Sequence, residues 1–153
     1  MVRNVLFLLL ATLLLAACQK NDLSKIPRIG LTYFGPEIMR VNTDTVRMQF
    51  SVEDGDADLG VSKNSSYFDI YIKDFRFDTG YTGYYFPEFD ENLKDATKGL
   101  KGKCSFEFTT SILYPRPDTA HMLSDTTHFE VYIRDKAGNE SNHFVTGNVI
   151  MTI

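Results

Sequence analysis

The chain has 153 residues, 43% of them hydrophobic, and a formal net charge of −4. That length suits one domain around one core, and the acidic balance speaks against nucleic acid as a partner. With 2 cysteines and no tryptophan, the chain is not a disulfide-stapled scaffold.

Arg3 precedes the apolar run VLFLLLATLLL, which ends in Ala16-Ala17-Cys18. A basic start, an apolar stretch and small residues before a cut make a secretory leader, too short and wrongly flanked for a transmembrane span. Leu15-Ala16-Ala17-Cys18 resembles the lipobox of bacterial lipoproteins, which implies cleavage before Cys18 and lipidation of its thiol. Gln19-Lys20-Asn21-Asp22 resembles the short signal that sends Bacteroidetes lipoproteins to the cell surface, with Asn21 where an acid is more usual. The two resemblances imply a lipid anchor in the outer membrane and display at the cell surface; the alternative is the same anchor facing the periplasm. Residues 1–17 are then the leader, 18–27 the lipidated cysteine and tether, and 28–153 the domain.

Beyond the tether, apolar residues alternate with period two, the pattern of strands with one wet face. RIGLTYF (28–34) predicts a first strand. TVRMQFSV (45–52) sets Val46, Met48, Phe50 and Val52 on one side. SYFDIYIKDFRFD (66–78) turns Phe68, Ile70 and Ile72 inward and then changes phase to Phe75 and Phe77, which predicts a bulge or bend near Lys73-Asp74. GKCSFEFTTSI (102–112) alternates through Cys104, Phe106 and Phe108, and THFEVYIRD (127–135) through Phe129, Val131 and Ile133. HFVTGNVIMTI (143–153) places Val145, Val149, Met151 and Ile153 in register. Turn-formers separate these runs, and at most one turn of helix fits around 91–98. The pattern predicts an all-β fold, a single antiparallel immunoglobulin-like β-sandwich of about seven strands. Without tryptophan or a cysteine pair, a fibronectin type III-like sandwich fits better than an antibody-type domain.

VEDGDADLG, GLKGKCSFEF and THFEVYIRDKAGNESNHFVTGNVIMTI, in that order, resemble a family of Bacteroidetes lipoproteins with Ig-like domains. Members carry a DGDGDIG-like loop near the start and a DRAGN-S-N stretch near the end. The resemblance spans most of residues 44–153 and implies the fold and an envelope location, with little said about activity. Ala57 stands where the family often has glycine.

The chain has no G-x-S-x-G, no H-E-x-x-H and no Gly-rich phosphate loop. His128 and His143 precede successive antiparallel strands, so with His121 they read as surface histidines. With Cys18 lipidated, Cys104 reads as a buried, inert thiol. A carboxylate pair for glycoside cleavage is the one enzymatic reading left, and a non-catalytic domain is expected. TGYTGYYFPEF (79–89) offers Tyr81, Tyr84, Tyr85 and Phe86 as a binding surface for a protein or glycan, or as a hairpin packed on the sandwich edge. Asp54, Asp56 and Asp58 alternate through a loop. An EF-hand is excluded, because the position that needs glycine holds Leu59 and the twelfth holds Ser65. In an Ig-like sandwich this loop shares an end with RDKAGNES (134–141), so Asp135 and Asn139 join the three aspartates as candidate Ca²⁺ ligands. The other reading is a pair of polar turns. The expected role is a surface-binding lipoprotein, with an accessory subunit of an outer-membrane complex as the alternative.

Overall fold

The computed structural model describes residues 23–60, 65–86, 98–109 and 124–152. The leader, Cys18, residues 19–22, most of the expected helical turn, His121 and Ile153 lie outside them. In chain order the strands are β1 (Arg28–Gly35), β2 (Ile38–Arg40), β3 (Thr45–Asp54), β4 (Ile70–Asp74), β5 (Thr82–Tyr84), β6 (Leu100–Thr109), β7 (Ser124–Thr127), β8 (Phe129–Ile133), β9 (Phe144–Val145) and β10 (Val149–Thr152).

One layer is the antiparallel sheet β1-β3-β6. The other is built from β5-β4-β8-β9 and β2-β10-β7. These two runs are continuous. β7 passes into β8 across His128, and Thr146 bridges the junction: its N–H donates to Phe129 O and its Oγ1 accepts from Phe129 N, both at 2.9 Å. The chain leaves β1 through a cis Gly35–Pro36 peptide and enters the second layer, where β2 pairs parallel with β10. This is the expected Ig-like β-sandwich, with ten strands among the described residues where about seven were expected, several of them short, and with one parallel pair in an otherwise antiparallel arrangement.

The alternation places the core as expected. Val46, Met48, Phe50 and Val52 of β3 are buried, and so are Ile70, Ile72, Phe129, Val131 and Ile133 opposite. Phe50 packs against Phe144 at 5.8 Å and Phe34 against Phe129 at 5.8 Å, so aromatic rings join the layers. Three positions depart from the simple pattern. The expected bend after Lys73 is the end of β4, where Phe77 N donates to Asp74 O at 3.2 Å and Phe75 turns outward. Phe68 is 37% exposed and lies over Gly83, where an added Cβ would meet its ring at 2.0 Å. Val145 also faces solvent, because the register slips by one residue between β8–β9 and β7–β10, so β9 faces opposite to β10, whose Val149 and Met151 are buried as expected.

Candidate functional site

β3 ends at Asp54, and the chain then curls. Ala57 adopts φ 56°, a left-handed conformation, and the buried Leu59 pins the loop to the core. One carboxylate oxygen from each of Asp54, Asp56 and Asp58 lies within 4.8 Å of the others. Asp54 is 0% exposed. Its Oδ2 accepts from Asp58 N at 2.9 Å, and Asp58 Oδ2 accepts from Ala137 N at 3.1 Å. The Oδ1 atoms of all three are buried with no hydrogen-bond partner. Buried polar atoms in native proteins are almost always satisfied, so these oxygens call for a partner, either a proton shared between Asp54 and Asp56 or a cation. Burial, then the neighbouring Asp56 and Asp58 charges, push Asp54 up from 3.8 to about 7. Burial and then Asp135 raise Asp58 as well.

The Asp58–Ala137 bond shows that the two loops meet at one end of the sandwich. Asp135 and Asn139, however, are turned on each other. Asp135 Oδ1 accepts from Asn139 N at 2.7 Å and Oδ2 from Asn139 Nδ2 at 2.8 Å. Gly138, at φ 90°, and its bond from N to Asp135 O complete the expected turn. The convergent group is therefore Asp54, Asp56 and Asp58, with Asp135 beside it as a fourth negative charge.

The aromatic segment divides. Phe86 is a correction: expected on a binding surface, it is 3% exposed and packs toward Phe50 at 6.5 Å, because its N–H is held by Asp69 Oδ2 at 3.0 Å. Tyr84 is half-buried against Phe106, and Tyr85 packs on Phe68 and donates to Ser65 O. Tyr81 remains outward, joining a group that the sequence did not suggest. Tyr71 and Tyr132 face each other across β4 and β8 with rings stacked at 4.7 Å, and His143 continues the stack at 4.7 Å. Tyr81 stands edge-on to Tyr132 at 5.0 Å. Glu130 ties them, accepting from Tyr81 Oη at 2.7 Å and lying 3.0 Å from His143 Nδ1. Burial and the bond to Glu130 push Tyr81 up to about 12, while the bonds from Tyr81 and His143 hold Glu130 below its usual range. The signal in the sequence was tyrosine at outward positions of two strands; their pairing register needed the fold.

His128 stacks on Phe75, whereas His143 stacks on Tyr132. Cys104 lies in the core, and burial pushes its thiol up to about 12. In a Cys18→Ser background, alkylation of native Cys104 at about pH 8 is therefore expected to run on the order of 10³-fold slower than for a free thiol. Mass spectrometry after iodoacetamide treatment checks this, and a free-thiol rate would overturn the burial assignment.

No protein-family model and no curated protein sequence matches the chain. Among solved structures, it is similar to the PKD domain of an M14-like peptidase from a Thermoplasmatales archaeon, at 14% identity over 87% of this chain and 99% of that one, with a TM-score of 0.40. So slight a likeness has no bearing on function.

Proposed function

We propose that the chain is a non-catalytic lipoprotein domain, anchored in the outer membrane through lipid on Cys18 and displayed at the cell surface. Its partner is a protein, bound on the outer face of β5-β4-β8-β9, and its acidic loop holds Ca²⁺. The observation that carries the binding reading is the row Tyr71–Tyr132–His143. Rings stacked at the spacing of neighbouring strands stand upright and present their edges, with Tyr71 Oη accepting from Phe68 N at 3.4 Å. A sugar platform needs an open ring face, whereas upright tyrosines with Arg134 alongside match the composition of protein interfaces. The Ca²⁺ reading rests on the orphaned Oδ1 atoms, since an all-oxygen donor set suits a hard cation.

Affinity capture of the full-length chain from its own cells tests this function. Wild type is expected to retain a protein partner in the membrane fraction, Tyr132→Ala to lose it by at least ~10-fold, and Cys18→Ala to leave the membrane. Capture unaffected by Tyr132→Ala would overturn the assigned surface. Binding to glycans alone would overturn the protein reading. A fixed-stoichiometry assembly that survives Tyr132→Ala would return the accessory-subunit reading.

A further inference from the structure

Leu23 and Ser24, at the start of the tether segment Leu23–Pro27, are seated on the acidic loop. Gly55 N donates to Ser24 O at 2.7 Å. A Cβ added to Gly55 would meet Leu23 O at 2.5 Å and Ser24 O at 2.7 Å, so the tether's backbone approaches where only glycine fits. Gly55 lies between Asp54 and Asp56, two of the three residues whose buried Oδ1 atoms lack a partner. Ser24 Oγ accepts from Ile26 N at 3.0 Å, which shapes the segment, and Pro27 is buried at the entry to β1.

We propose that a divalent cation held by Asp54, Asp56 and Asp58 governs the docking of Leu23–Pro27, and so sets how much free chain lies between the domain and its N-terminal anchor. This rests on the calcium reading above. Without an ion, three carboxylates whose oxygens lie within 4.8 Å repel and favour an opened loop. Opening the loop displaces Gly55 N–H from Ser24 O and removes the seat. An ion draws the carboxylates together and restores it. Ser24, Lys25 and Ile26 of the docked segment are exposed, so it belongs to the low-stability end of the molecule, where a modest bias shifts its population. An ion present at ten times its Kd shifts that equilibrium by about tenfold. Released and extended, Leu23–Pro27 adds up to about 17 Å of reach.

The test uses the full-length chain in detergent with CaCl₂ or with chelator. Cleavage after the exposed Lys25 is followed with a lysine-specific protease that needs no calcium itself, and calorimetry measures Ca²⁺ binding separately. The expected result is cleavage about tenfold slower in CaCl₂. Gly55→Ala, which retains all three carboxylates, is expected to bind Ca²⁺ yet be cleaved rapidly in both buffers. Asp56→Asn is expected to lose both the binding heat and the calcium dependence of cleavage. Wild-type chain that binds Ca²⁺ but is cleaved equally in both buffers would overturn the coupling and leave the cation site standing. Gly55→Ala chain that stays protected in CaCl₂ would also overturn the coupling. Absence of any binding heat in wild type would remove the calcium reading itself, and the coupling with it.

Discussion

Arg76→Ala is expected to destabilise the domain by about 3–5 kcal/mol, the largest single effect foreseen outside the hydrophobic core. The Arg76 side chain is 2% exposed. Its Nη2 lies 2.6 Å from Asp74 Oδ2, its Nε bonds both Asp74 oxygens at 3.1 Å, and its Nη1 reaches Asp125 Oδ2 at 3.4 Å. Thr127 Oγ1 also donates to Asp74 Oδ1, and Arg76 Nη1 touches Met151 Sδ at 3.5 Å. This group joins the turn after β4 to β7 and β10, where the two halves of the second layer meet. Truncation would leave Asp74 and the buried Asp125 without their shared cation. An intact buried ion group adds little over a well-packed apolar one, but a broken one is costly. The triple variant Arg76→Met, Asp74→Asn, Asp125→Asn is therefore expected to recover most of the loss. Thermal melting of wild type, single and triple variants checks this, with Tm for the single variant lower by roughly 10 °C or more. A single variant melting within a degree or two of wild type would refute the assignment. So would a triple variant no better than the single.

Much of this architecture is legible in the sequence, and the reason differs by element. The period-two runs through Val46–Val52 and Phe129–Ile133 fixed which side chains face inward, because a strand with one buried face has no other option. The meeting of the loops at Asp58 and Ala137 followed from sandwich topology. Pairing and register were not legible. Tyr71 and Tyr132 are unremarkable outward residues until β4 and β8 are laid side by side, and Glu130 collects Tyr81 and His143 from separate elements. Asp135 is expected as a ligand by proximity, and in the structure its two oxygens accept from Asn139, four residues on. Phe86 reads as exposed because it follows three tyrosines in a glycine-rich stretch; its N–H donates to the Asp69 side chain, 17 positions earlier, and this turns it into the core. The seat of the tether on Gly55 had no signal beyond a glycine in an acidic loop.

The cation-free protein is expected to grow less stable as pH rises from about 4 to about 7, opposite in sign to ordinary acid denaturation. Asp54 titrates near 3.8 when unfolded and about 7 when folded. Between those values the folded state holds the proton more firmly, so folding is favoured by protonation and that advantage is lost as Asp54 ionises. The shift sets a ceiling of about 4 kcal/mol, of which about 2 kcal/mol falls between pH 5.5 and pH 8. The groups facing the site are Asp56, Asp58 and Asp135, with Lys136 the opposing charge near Asp58. Asp58 is raised too and acts in the same sense. Glu130 is lowered, and its contribution is lost only as pH falls below the ordinary carboxylate range, outside this window. In chelator, wild type should melt roughly 5–10 °C higher at pH 5.5 than at pH 8. CaCl₂ should raise the melt at pH 8 and flatten the slope, because an ion replaces the proton as the neutralising partner. Asp54→Asn should flatten it without calcium, since an amide carries no charge to bury. A chelated wild type whose Tm rises with pH would show that the three carboxylates are solvated in the folded state, and the site would then be a polar turn.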